Sequence, residues 1–252
     1  FHAIRHEGAT LVKQLGGPDL TAIWGPDGDD NRLRQADASL PAVFITSVAM
    51  ARQWMAWGVQ PRCLIGHSLG EYAAAHLAGV MTLADVLTLV VARSRLMAQV
   101  GGEGCMMLVV PLPEADVRAA LPAGVSLATV NAADECVVSG PVAALQPWAD
   151  QLAAAEVECT RIPLAAAAHS ALLDPVLPEF LAVVQRVQLH APRLPYVSNL
   201  TGQWITPEQA TSPRYWVDHL RPTVRVADGP APALPHHLDD GPLAPVQLPP
   251  QH

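Results

Sequence analysis

The sequence predicts an α/β protein with a smaller β-α-β-β-α-β unit set into it. Three observations carry this. The short apolar run "RCLIGHS" ends in a Gly-flanked turn and feeds the Ala-rich helical stretch "LGEYAAAHLAGV", as a buried parallel strand feeds a helix. From "CMMLVVPL" to "CTRIPL", short apolar runs alternate with the helical stretches "PEADVRAALP" and "PVAALQPWADQLAAAEV", the rhythm of a ferredoxin-like unit. The larger unit then resumes with the strand "LPYVSNL" and the helix "SPRYWVDHLR".

In chain order, "FHAIRHEGATLVKQL" has helical periodicity and stops at Gly16-Gly17. The polar stretch "GPDGDDNRLRQADAS" reads as a surface loop, and "PAVFITSVAMARQWMAWGV" as a buried helix. The Ala-rich helix closes at Gly79, and Thr82 with Asp85 forms a capping box that opens a helix through about Val100. After the small unit, the alanine stretch "LAAAAHSALLDP" leads to a helix from about Asp174. Past Gly229, frequent Pro without periodicity reads as a linker or tail. The expected division is a large subdomain over residues 1–102 and 164–229, a small one over 103–163 and a tail over 230–252.

A chain of 252 residues that is half hydrophobic and only 15% charged is too apolar for a disordered protein. A net charge of −8 argues against a nucleic-acid partner and admits an anionic substrate only beside a local basic group. Cys63, Cys105, Cys136 and Cys159 contain no C-x-x-C pair, so no metal site and no disulfide framework is expected; free thiols fit a cytoplasmic location. Apolar runs such as "LTLVVA" are too short to span a bilayer, so no membrane partner is expected. The first residue is Phe and no signal peptide is visible, which suggests a piece of a longer polypeptide.

The strongest chemical signal is "GHSLG", between a predicted strand and a predicted helix. A serine there sits on a strained turn with Oγ exposed, glycines at ±2 allow close backbone approach, and the following helix N-terminus favours an oxyanion. Leu69 N–H would supply one donor to that hole. An ordinary tight turn is the competing reading, and the strand–motif–helix context favours the nucleophile. A serine nucleophile needs a base. Among ten histidines, His67 points away on the turn and His76 reads as a packed or capping residue. His190 and His219 read as surface residues near element ends, and His2, His6, His236, His237 and His252 are terminal. His169 remains, in its small-residue loop, either as base or as packing. Arg93 lies on an apolar helix beside Val86, Leu89, Val90 and Met97, with no acidic residue at i±4. An interior guanidinium needs an anion. Either a distant carboxylate or a substrate carboxylate supplies it.

"LIGHSLGEYAAAHLAGVMTLADVLTLVVARSRLM", "VNAADECVVSGP" and "SPRYWVDHLRPTVRVADG" closely resemble acyltransferase domains of modular type I polyketide synthases, relatives of the malonyl-CoA:acyl carrier protein transacylases. The resemblance runs from about Phe1 to Gly229 and keeps the order and spacing of several motifs. It implies an α/β-hydrolase-like large subdomain with an inserted ferredoxin-like small one. It implies that Ser68, with His169 as base, takes a malonyl-type acyl group from coenzyme A and passes it to the phosphopantetheine thiol of an acyl carrier protein. No bound cofactor is expected, coenzyme A entering as the thioester substrate. A neighbouring ketosynthase domain and its linker in the same polypeptide are the other expected partners. Arg93 falls where the family pairs the substrate's free carboxylate. The resemblance also places His67, Asn131, Ala166 and Ala168 at the substrate, and Asn199 in the signature "SNLTG". It needs no triad acid, because these enzymes orient the histidine largely with backbone carbonyls.

The departures bear on function. The family's opening strand and G-Q-G-x-Q turn, whose glutamine side lines the oxyanion hole, lie upstream of this chain's first residue. Loss of one such donor typically costs about 10²–10³ in turnover. Leu40 stands where the family usually has Gln, and the continuation after Gly229 lacks the usual G-P-G signature. The selectivity tetrad reads Ala166-Ala167-Ala168-His169, neither the malonyl form H-A-F-H nor the methylmalonyl form Y-A-S-H. Leu69 leans toward malonyl, while the alanines leave room for a larger unit. Two other readings remain: a degenerate acyltransferase serving as a structural or docking platform, and a serine esterase, for which Arg93 would have no use.

Overall fold

The computed structural model describes residues 1–25, 28–102, 104–162 and 168–228. Helices α1 (His2–Gln14), α2 (Leu20–Ile23), α3 (Asp30–Leu33), α4 (Ala36–Ala56), α5 (Leu69–Leu77) and α6 (Leu83–Val100) come first. There follow β1 (Cys105–Val110), α7 (Glu114–Ala120), β2 (Ser126–Ala132), β3 (Glu135–Pro141), α8 (Val142–Ala154) and β4 (Thr160–Ile162). A 3₁₀ turn over Ala171–Val176 leads into α9 (Leu177–Val184), α10 (Pro207–Ala210), α11 (Pro213–Asp218) and β5 (Val224–Arg225). Among the described residues no helix is long and apolar enough to cross a membrane.

Local chemistry explains most helix ends. Gly16, at φ +80°, closes α1 with Gly16 N–H on the Lys13 carbonyl and Gly17 N–H on that of Val12. Gly79 closes α5 in the same way. Thr82 Oγ1 caps α6 by accepting from Asp85 N–H at 3.1 Å, as the capping box predicts. The stretch read as one polar loop differs: it contains α3, and α4 begins at Ala36 rather than Pro41. Asp29 caps α3, and Arg32 grips Asp37 with two bonds of 2.6 and 2.7 Å across the junction. That fork ties α3 to the first turn of α4, and Pro41 lies in the second.

The small unit forms an antiparallel sheet in the order β4-β1-β3-β2, the ferredoxin-like arrangement the alternation predicts. Strand β5 adds parallel to β2, an edge the sequence did not announce. Strand alternation gives the sheet two apolar faces. Met106, Leu108, Val110, Val130, Cys136 and Val138 pack with Val117 of α7 and Leu145 and Trp148 of α8. Met107, Ala128 and Val137 face the main core, built largely from α4, α5, α6, α9 and α11.

The α/β class stands, with one qualification on the large unit. The predicted strands "RCLIGHS" and "LPYVSNL" meet in a single parallel bridge, Leu64 to Tyr196, made by Leu64 N–H to Pro195 O and Val197 N–H to Leu64 O. Two backbone bonds suffice to set Gly66–Ser68 beside Ser198–Asn199, which is what the site requires.

Candidate active site

The bridge delivers the chain to a sharp turn. Ser68 has φ 49° and ψ −109°, a conformation that costs a non-glycine residue about 1–3 kcal/mol and persists only where its surroundings impose it. A Cβ on Gly66 would lie 2.1 Å from Gly70 C and O and 2.5 Å from Glu71 N, so the turn demands glycine there. At Gly70 an added Cβ would meet nothing within 4 Å. Only the first of the two glycines is therefore sterically required. Ser68 is the N-cap of α5, and no partner takes Leu69 N–H among the described residues, leaving it free for an incoming oxygen.

Ser68 Oγ lies 2.7 Å from His169 Nε2. For Nε2 to accept the hydroxyl proton, the neutral ring must carry its own proton on Nδ1. Nδ1 makes no hydrogen bond of ordinary geometry. The Pro222 backbone carbonyl is the neighbour that favours the charged ring, in keeping with orientation by backbone rather than by an acid. His169 is fully buried with φ 53°. Burial holds its pKa well below the usual 6.5, and the cationic tendencies of His219, Arg93 and His67 push the same way. The ring is thus neutral at neutral pH, as a base must be.

Arg93 of α6 is 2% exposed, with its guanidinium 4.9 Å from the Tyr72 ring centroid and Nη2 3.4 Å from Ser68 Oγ. Its Nε and Nη1 have no partner, and no carboxylate pairs with it among the described residues. Of the two anions the sequence allowed, the internal one is missing there. Burial lowers the Arg93 pKa while Tyr72 works against that fall, and the same burial pushes the Tyr72 phenol up to about 12. A guanidinium stays charged even so.

His67 is directed away from Ser68: its Nε2 faces Asn131 Oδ1 at 2.9 Å, and Asn131 also accepts from Thr129 Oγ1 at 2.9 Å and donates to Glu135 Oε1 at 3.0 Å. Part of the His67 ring meets solvent, yet crowding by protein lowers its pKa. Asn131 therefore bridges the small unit to the turn. Ala168 is buried next to His169, whereas Ala166 and Ala167 lie outside the described residues.

One residue of this region lies elsewhere than its sequence position implies, and one functional candidate had no sequence reading. His219, read as a surface residue, is buried, its Nε2 3.0 Å from Glu71 Oε2 and its ring centroid 6.2 Å from that of His169. It follows α11 directly, and the aromatic face of that helix folds it inward against Tyr72, Tyr215 and Trp216. Glu71 was not singled out from the sequence at all. It is fully buried and also accepts from Asn199 N–H at 2.8 Å and from the Tyr215 hydroxyl. Burial and that carboxylate raise the Tyr215 pKa, which keeps the phenol a donor. A carboxylate in the first turn of a helix ordinarily reads as favourable to the dipole and solvated. The signal available was its place in a stretch of α5 otherwise built of buried residues.

The chain matches the acyl transferase domain family over residues 12–252 and belongs to it, on the branch found in modular type I polyketide synthases. A phenolphthiocerol synthesis polyketide synthase of Mycobacterium marinum is 38% identical over 229 residues, covering 90% of this chain and 11% of that protein. This chain thus spans only about a tenth of that relative. Among solved structures, the acyl transferase domain of SpnD in complex with 2-(pent-4-yn-1-yl)malonyl aligns with a TM-score of 0.83 and 39% identity, over 90% of this chain and 54% of that one. A malonyl-CoA:acyl carrier protein transacylase from Xanthomonas oryzae aligns with a TM-score of 0.78 and 27% identity, over 88% of this chain and 73% of that one.

Proposed function

We propose that this domain moves a malonyl-type acyl unit from coenzyme A to the phosphopantetheine thiol of an acyl carrier protein, within a polyketide synthase polypeptide that also carries a ketosynthase. His169 Nε2 takes the Ser68 Oγ proton as Oγ attacks the thioester carbonyl. Leu69 N–H donates to the oxyanion. Collapse breaks the C–S bond, the coenzyme A thiolate leaves with the proton held by His169, and the acyl group stays on Ser68. The carrier thiol then gives its proton to His169, attacks the acyl-serine and restores the Ser68 hydroxyl.

The observation that carries this reading is Arg93, a buried guanidinium with two unpartnered nitrogens beside the same Oγ. A neutral acyl chain would leave it unpaired, whereas the free carboxylate of a malonyl-type unit would satisfy it. The malonyl compound named with the SpnD domain and the malonyl donor named for the Xanthomonas enzyme fit that choice. The intact Ser68–His169 contact at 2.7 Å disfavours a mere platform. An esterase of neutral esters would leave Arg93 without purpose. The test is to incubate the folded domain with malonyl-CoA and a holo carrier protein, and to follow malonyl transfer by intact-protein mass spectrometry. Transfer to the carrier is expected, with acetyl-CoA a poor donor. Hydrolysis without transfer, or equal use of both donors, would overturn the proposal.

A further inference from the structure

We propose that Glu71 is a positioning residue: through Asn199 it holds the Ser68 turn in the conformation from which Oγ attacks. The inference rests on the proposal that Ser68 is the nucleophile. The turn is strained, and a strained conformation persists only where surrounding contacts over-determine it. Asn199 supplies those contacts from both sides, with Oδ1 accepting from Ser68 N–H at 2.5 Å and Nδ2 donating to the Gly66 carbonyl at 2.7 Å. One amide side chain therefore pins the entry and the centre of the turn.

Asn199 is itself fixed through its backbone. Its N–H donates to Glu71 Oε2 at 2.8 Å, and its carbonyl accepts from Arg225 N–H at 2.8 Å, where β5 passes. Glu71 closes the circuit because it belongs to α5, the helix that starts at Leu69 just past the turn. The carboxylate thus ties the segment that grips the turn to the helix that emerges from it. Its remaining bonds, to Tyr215 and His219 of the α11 region, leave it no freedom to swing away. The acid of this site therefore acts on the backbone that carries Ser68, while none contacts His169 among the described residues.

A positioning role predicts a loss in the acylation rate constant and not in substrate affinity, since none of these residues lies at Arg93. In rapid-quench acylation with malonyl-CoA, Glu71→Gln should acylate Ser68 about 10–100-fold more slowly, the worth of a charge-assisted hydrogen bond. The concentration for half-maximal rate and the malonyl-to-acetyl preference should hold to within about threefold, because Arg93 is untouched. Tyr215→Phe removes the hydroxyl that Glu71 and Ser198 share, leaves the carboxylate in place, and should show a smaller loss of the same kind. If Glu71→Gln does not fold, Tyr215→Phe and Asn199→Ala carry the test. Folded variants that acylate at the wild-type rate, or that lose only affinity, would overturn the inference. A wild-type domain that forms no adduct on Ser68 would instead overturn the functional proposal beneath it.

Discussion

Arg93→Met keeps most of the side-chain volume, removes the charge, and should give a more stable and less selective protein. In the structure the guanidinium is 2% exposed and has no carboxylate partner among the described residues. Its compensation is the Tyr72 ring at 4.9 Å and a long contact to Ser68 Oγ at 3.4 Å. Desolvating such a charge costs several kcal/mol, and the ring face offsets about 1–2 kcal/mol of that. Replacement by an apolar group of similar length should therefore stabilise the unliganded domain by about 1–3 kcal/mol. For a protein of this size that raises the midpoint of thermal unfolding by about 2–12 °C. The ion pair to a substrate carboxylate should disappear together with the charge. At about 2–4 kcal/mol for a buried charge-assisted pair, the malonyl-to-acetyl acylation ratio should fall about 30–1000-fold. Thermal melts and acylation rates on the two thioesters give both numbers. A destabilised variant that keeps its ratio would show instead that Arg93 is a structural cation.

Acid should act on stability and rate through His169, whose folded pKa lies well below the 6.5 of the free ring. Between those two values the unfolded chain binds the extra proton, so this contribution to stability is complete above about pH 6.5 and declines as pH falls through it. Denaturant titrations across that range should show the decline, and His169→Gln should lessen it. Acylation follows the folded value instead, so it should stay level through pH 6.5 and fall only well below it; a midpoint at or above pH 6.5 would contradict the neutral buried base. The two glycines of the motif should also part company. Gly66→Ala drives a methyl into the Gly70 backbone at 2.1 Å and should abolish the turn, at a cost above about 3 kcal/mol. Gly70→Ala meets open space in a helix and should be neutral or gain up to about 1 kcal/mol, which melting curves on the pair will show.

Much of this arrangement is written in local patterns. The Thr82 cap, the glycines that end α1 and α5, and the four-stranded order of the small unit follow from short-range chemistry and period-two alternation. Ser68 is legible for the same reason, since its turn is a local motif. His169 is not. It reaches Ser68 across 101 residues; elimination left it a candidate, either base or packing, and the register of a resemblance chose between the two. The Glu71–Asn199 contact spans 128 residues; the apolar run around Glu71 hints at its burial, and nothing local names its partner. His219 was misread because its place just past a helix end says nothing of the aromatic face that folds it in. Helix α3 escaped notice because its Asp caps have the composition of a loop, and the parallel strands shrank to one bridge because apolar runs declare burial without declaring length of pairing.

In the proposed reaction Ser68 carries the acyl group. The most direct measurement is a brief exposure of the folded domain to malonyl-CoA, followed by acid quench, proteolysis and mass spectrometry of the peptide containing Ser68. A malonyl ester is expected on that residue, lost on addition of holo carrier protein, and absent from Ser68→Ala. His169→Ala should form it far more slowly. A folded domain whose Ser68 stays unmodified, or an adduct that forms equally well in Ser68→Ala, would show that Ser68 is not the acyl carrier.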